Sequence, residues 1–236
     1  MTTGFRNRST ANNTLFQLDN SYANFAMMAK GSGSVSGINA GGYREVTIDI
    51  PAPHPATAIA LRGNTQAVGI MQMTYINFAI RCKIVTWFAG GAVPTFEWFT
   101  FVPAGAANPT SNIGLKLRDP AGRTVSYDST LRYTKVLGVI DTLAVNGTDI
   151  FVPPYAGSFA ALYPGPYWQS EVVIYPEGNF YTREESVNSS GVYVYNGGLR
   201  AMDVPLMLSI TSTGPGRSTS NWYGNNVFPV VDVTGF

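Results

Sequence analysis

Apolar and polar residues alternate with a period of two along much of this chain, and that period predicts strands rather than helices. The alternation is sharpest over residues 114–137, GLKLRDPAGRTVSYDSTLRYTKVL. Leu115 and Leu117 alternate with polar neighbours as far as Asp119-Pro120-Ala121-Gly122, and Val125 and Tyr127 alternate beyond it. Asp at the first turn position, Pro presetting φ at the second and Gly accommodating the exit from the turn predict a tight hairpin.

A second version opens the chain over residues 4–28, GFRNRSTANNTLFQLDNSYANFAMM. At a constant offset Gly4, Phe5, Arg8, Ala11, Thr14 and Leu15 match Gly114, Leu115, Arg118, Ala121, Thr124 and Val125. One extra residue near Gln17 then brings Leu18 onto Tyr127, Asp19 onto Asp128, Tyr22 onto Leu131 and Met27-Met28 onto Val136-Leu137. Downstream, Ile48-Asp49-Ile50-Pro51-Ala52-Pro53 precedes Ala58-Ile59-Ala60-Leu61, as Asp149-Ile150-Phe151-Val152-Pro153-Pro154 precedes Phe159-Ala160-Ala161-Leu162. Agreement in apolar pattern and turn position over such a span marks a duplication. The predicted fold is all-β, with two tandem antiparallel β-sandwich-like domains that each open with a β-hairpin. Residues 1–108 form the N-terminal domain and residues 109–236 its divergent duplicate, joined by the short linker 104–109.

Further strands are predicted at residues 44–50, 56–62 and 67–74 in the first half. In the second half they are predicted at 131–140, 150–152, 158–163, 170–175, 191–195, 206–211 and 227–233, with Pro-Gly and Asn-Gly turns between. Residues 75–102 are apolar enough to raise a membrane span, but Arg81, Lys83, Pro94 and Glu97 interrupt them. A charge near a bilayer centre costs several kcal/mol, so the region reads instead as strands 71–88, with a break, and 95–102. Residues 30–42, KGSGSVSGINAGG, carry few apolar anchors and predict a flexible exposed loop.

Composition supports strands and turns: 25 Gly, 15 Pro, 13 Tyr, 13 Phe and 4 Trp. Charged residues are 12% of the chain, about half the usual share, which fits a surface covered by neighbours. Net charge is +1 with no basic run, so the electrostatic footprint for nucleic acid or an anionic membrane is missing. Cys82 stands alone, ruling out an internal disulfide, and MTTGFRNRST lacks the apolar core of a signal peptide. Folding in a cytoplasm, with no membrane insertion, is the expectation.

Candidate chemistry is sparse. His54, the single histidine, lies between Pro53 and Pro55, so no second histidine supports a metal site or a Ser-His-Asp set. Cys82 lies between Arg81 and Lys83, but on a strand the two bases face away from the thiol, which predicts a buried structural cysteine. Glu184-Glu185 is the only adjacent acidic pair and reads as solvated loop residues rather than a glycosidase pair. Gly31-x-Gly33 lacks the third glycine, helix and acidic residue of a dinucleotide site. No catalytic, metal or cofactor residues are expected.

Aromatic residues in turn-rich segments stand out: Tyr163, Tyr167 and Trp168 in YPGPYW, and Trp222 and Tyr223 in SNWYGNN. Exposed, such rings give large contact area at little entropic cost, suiting protein contacts or sugar stacking. Folded back, they would plug the ends of a sandwich, and both readings stand at this point.

The hairpin also carries a family resemblance. Gly114-Leu115-x-Leu117, a turn ending in Gly122, then Val125-x-Tyr127-Asp128-Ser129 resembles the G-L-x-V, glycine turn, F-D-S signature of uncharacterised structural proteins in the tails of long-tailed bacteriophages. The match covers about a tenth of the chain. The copy over residues 4–19 departs from it, with Asn12 for the turn glycine and Asn20 for the serine. The resemblance implies a non-enzymatic virion component, a minor tail protein at the tail tip or tail-fibre base. It would be present in several copies, or as a homo-oligomer, among other tail proteins. A second expectation is a receptor-binding module that recognises a host surface protein, pilus or glycan through the aromatic loops. A third, a polysaccharide depolymerase, needs a carboxylate pair in one groove.

Overall fold

The computed structural model describes residues 4–8, 15–19, 24–38, 42–87, 91–107, 113–118, 125–141, 148–153, 155–166, 168–177, 180–212, 219–223 and 227–236. The first half supplies β1 (Gly4–Arg8), β2 (Leu15–Asp19), β3 (Phe25–Ser34), β4 (Gly37–Ile38), β5 (Tyr43–Pro51), β6 (Ala58–Gly63), β7 (Val68–Ile76), β8 (Ala79–Trp87) and β9 (Thr95–Pro103). A 3₁₀ turn at Ala104–Ala106 leads into the second half, which begins with β10 (Lys116–Arg118), β11 (Val125–Asp128), β12 (Lys135–Asp141), β13 (Thr148–Phe151) and β14 (Phe159–Tyr163). It continues through β15 (Trp168–Glu177), β16 (Phe180–Tyr195), β17 (Gly198–Ser212), β18 (Thr219–Tyr223) and β19 (Val227–Asp232). The fold is all-β, with no α-helix among the described residues. Among those residues no helix is long and apolar enough to cross a membrane.

Both predicted hairpins form. β1 pairs antiparallel with β2, and β10 with β11, each as its own two-stranded sheet. The pairs nearest the turn are equivalent, Arg8 with Leu15 and Arg118 with Val125, and the second hairpin then shifts register between Leu117 and Arg118. The break expected inside residues 71–88 is a third hairpin, turning through Asn77 and Phe78 at positive φ.

The remaining strands do not separate at residue 108. They pair in two rows, each crossing from one half of the chain to the other. Row one runs β3-β9-β6-β14-β19-β12, and row two runs β5-β8-β7-β16-β17-β13. Reading either row backwards exchanges the two copies of the repeat. The centre of row one is the pair Ala60 with Leu162, and row two passes from one copy to the other where Val68 pairs with Val192 and Gly69 with Gly191. The edge strands repeat even their irregularity. β3 skips a residue between Met27 and Ala29 against β9, and β12 skips one between Val136 and Gly138 against β19. The skipped Met28 and Leu137 are residues that the sequence repeat already aligns. The order of pairing follows the sequence repeat, and the strands of the two halves interlock in shared rows instead of pairing within two separate sandwiches.

The reason lies in burial. β6 is apolar on both faces, and Ile59 and Leu61 enter the core between the rows while Ala60 enters a second core on the other side of row one. Strands loaded on both faces are stable only when covered on both. The first core draws Ile84, Phe96 and Ile59 from one copy and Val192, Leu199 and Phe228 from the other, so neither copy completes it alone. Row one also closes on itself, because Ala26 bridges to Tyr133 and Met27 N–H donates to Arg132 O at 2.8 Å. The ring surrounds the second core, which contains Phe99, Phe101, Val231 and Val233.

The segment predicted as a flexible loop, residues 30–42, largely continues as strand. Gly31 pairs with Trp98 and Gly33 with Phe96. A methyl group on Gly31 would lie 2.3 Å from the Trp98 ring, and one on Gly33 would lie 2.6 Å from the Phe96 ring. The glycines are there because cross-strand aromatic rings occupy the space their side chains would need.

Candidate functional site

The five aromatic residues predicted as contacts fall into three groups. Tyr163 is the last residue of β14 and is 2% exposed, with its hydroxyl donating to Val68 O at 3.0 Å and its ring 4.8 Å from that of Phe228. It is a core residue, not a surface contact. Pro164-Gly165-Pro166 begins only after the strand has delivered the ring inside. Tyr167 lies outside the described residues.

Trp168, Trp222 and Tyr223 fall on two paired strands, with Trp168 and Tyr223 at one register position and Trp222 at the next. They lie on strands rather than in loops, because β15 pairs antiparallel with β18, Trp168 opposite Tyr223 and Gln169 opposite Trp222. β15 also pairs along its length with residues 180–188 of β16, and β16 pairs with β17 as far as Ser212. The result is a four-stranded arm, β18-β15-β16-β17, that the second copy carries and the first does not. β16 alone has 16 residues, so at about 3.3 Å per residue it spans roughly 50 Å. Glu184 and Glu185, expected in a loop, sit in mid-strand of this arm, opposite Val173 and Val172.

At its base the arm is anchored on the body. Val204 and Leu206 of β17 are buried against Tyr43 and Val85 on the outer face of row two. Pro205 cannot donate to a ladder, and the pairing shifts register between Val187 and Asn188 beside it. Next to this bend is an open groove of about 360 Å³, lined by Ala67, Trp87, Tyr193, Met202 and Asp203 among others. Burial pushes the Asp203 carboxyl above the usual carboxylate range, partly offset by a hydrogen bond from Ser190 Oγ at 3.4 Å. The groove was not legible in the sequence. Its one signal is an acidic residue inside the apolar run AMDVPLML.

The other candidate residues are accounted for structurally. His54 Nδ1 accepts from Ala56 N–H at 3.0 Å, and its carbonyl accepts from the Thr57 hydroxyl at 2.6 Å, so the side chain helps to close the turn between β5 and β6. Arg81 pairs with Asp49 at 2.8 Å and Lys83 with Glu45 at 3.1 Å, while Cys82 between them is buried in the core. Burial, reinforced by the negative charge of Asp49, pushes the thiol up to about 12. Below that pH it is neutral, and the thiolate is the reactive species. Native protein at pH 8 is therefore expected to leave Ellman's reagent unreacted, with one thiol per chain appearing on denaturation. Stoichiometric labelling of the native protein would contradict this assignment.

Among the described residues no three His, Cys, Asp or Glu side chains gather as metal ligands. The class that the fold and site define is an all-β protein whose duplicated body carries an aromatic-bearing arm and an apolar groove with one carboxylate. No family model, curated protein or solved structure matches the chain.

Proposed function

We propose that the protein is a non-enzymatic structural component of a bacteriophage virion. In this reading it is a minor tail protein at the tail tip or tail-fibre base, and it binds neighbouring tail subunits through the arm and the surface around it. The observation that carries this reading is the four-stranded arm added to one copy of an otherwise pseudo-symmetric body. The arm extends β16 and β17 of one copy beyond the body and adds β15 and β18 to them, with Trp168 and Tyr223 opposite each other on β15 and β18 and Trp222 on β18. Tyr and Trp are the residue types that dominate contact energetics. The resemblance of the second hairpin to phage-tail structural proteins supports the same reading, as does an exposed apolar set on the second copy: Leu115, Val136, Val139 and Val152.

The test is location. Antibody labelling or imaging of assembled particles would place the protein at the distal tail, and it would co-purify with tail assemblies in several copies. An inert monomer that decorates no particle would remove the proposal. The Trp168 to Tyr223 register also favours a second reading, in which the arm contacts a host receptor. Purified protein would then block adsorption to susceptible cells, and Trp168→Ala or Trp222→Ala would abolish the block without changing the melting temperature.

A further inference from the structure

The groove beside Pro205 joins two kinds of chemistry. Trp87, the last residue of β8, is 47% exposed there, and Tyr193, Met202 and Ala67 add further apolar wall. The Asp203 carboxylate lines the same space, half-buried, with one long hydrogen bond, 3.4 Å from Ser190 Oγ. Among the described residues the ion pairs go to Glu97, Asp49, Glu45 and Asp128, and none goes to Asp203. Arg200 is engaged elsewhere, over the Tyr195 ring at 5.3 Å and with NH1 donating to the Tyr193 hydroxyl at 3.4 Å. A carboxylate taken partly out of water with no cation beside it is destabilising, and the deficit is made good when a cation arrives.

We propose that this groove captures the guanidinium of an arginine side chain presented by a neighbouring protein chain, lying against Trp87 and Tyr193 and paired with the Asp203 carboxylate. Charge complementarity names a cation, and the aromatic walls name which one. A guanidinium is planar, weakly hydrated and able to stack on a ring while it pairs with a carboxylate, whereas an ammonium holds its water more tightly. The chain already makes this arrangement internally. The Arg62 guanidinium lies 5.8 Å from the centre of the Phe99 ring while its Nε donates to Glu97 at 2.7 Å. The groove presents the ring and the carboxylate with the arginine left to be supplied. A chain-borne arginine is favoured over the free amino acid because the charged groups of the groove offer nothing to an α-carboxylate.

The test is a titration of the full chain with N-acetyl-arginine N-methylamide, followed by the Trp87 indole N–H resonance, which a Trp87→Phe variant identifies. The expected result is a saturable shift with the arginine derivative and none with the neutral citrulline analogue. Asp203→Asn is expected to weaken binding roughly tenfold or more. The same variant should melt at an unchanged or higher temperature, because it removes a carboxylate whose ionised form the fold disfavours. An absent shift, an equal shift with citrulline, a lysine analogue that binds as tightly, or unchanged binding by Asp203→Asn would each overturn the proposal. The citrulline comparison decides on the unmodified chain even if the variant misfolds. The site is defined on this chain alone, so a negative titration leaves the virion reading standing, and absence from particles leaves the groove standing.

Discussion

Tyr163→Ala is expected to destabilise the protein by about 4 kcal/mol, read as a lower denaturation midpoint with an unchanged slope. The ring is among the larger side chains of the core shared by both rows and packs on Phe228. Truncation leaves a cavity that two facing sheets cannot collapse around, which is the condition for the upper end of large-to-small costs. The hydroxyl adds a separate contribution. It bonds to the carbonyl of Val68, which pairs with Val192 where row two passes from one copy to the other, and so ties the two rows together. Tyr163→Phe keeps the packing and removes only this bond, so its cost is expected to be about 1 kcal/mol. The pair of variants separates packing from hydrogen bonding. If Tyr163→Ala left stability intact and weakened a binding activity, the residue would be a surface contact and its placement inside the core would be wrong.

Tyr163 also shows where sequence reading succeeds and stops. The short apolar run FAALY, bounded by a turn, predicts the strand correctly, but the Pro-Gly-Pro turn beside Tyr163 pulls the residue towards a surface reading, although it belongs to the strand it ends. Residues 182–190, TREESVNSS, lack an apolar period, and Pro205 interrupts the partner strand, so most of the arm is invisible in the sequence. Its stability comes from pairing along β15 and β17, which no single segment encodes. The Gly31 to Gly33 strand is hidden for the opposite reason: the bulk that packs there belongs to Trp98 and Phe96 on another strand.

The duplication itself is readable, down to the alignment of Met28 with Leu137. Its spatial meaning is not, because an alignment states which residues correspond and is silent on which ones pair. One clue is present. AIALRG and FAALY are apolar on both faces, which edge strands of separate sandwiches would not need to be, and the structure uses both faces because the two copies supply each other's cover.

Interlocking makes the second large prediction asymmetric. Gly63 ends β6 and bridges in parallel to Tyr193 of β16, joining row one to row two. A Cβ at this position would lie 2.0 Å from Gln66 O and 3.1 Å from Val192 O. Both are backbone atoms held in the fold, so no rotamer change relieves the clash. Gly63→Ala is therefore expected to cost about 3 kcal/mol or more, seen as a large fall in melting temperature. The Ala60 with Leu162 centre of row one makes Gly165 the counterpart of Gly63. At Gly165 a Cβ would meet nothing within 4 Å, and its φ is not positive. Gly165→Ala is expected to be neutral or stabilising by roughly 0.5 kcal/mol, through the smaller freedom of the unfolded chain. The difference arises because the first copy turns directly from β6 into β7 against the other copy, whereas the second leaves β14 for the arm. Equal effects from the two substitutions would mean that the copies are packed alike at this corner, and the account of the arm as an addition to one copy would fail.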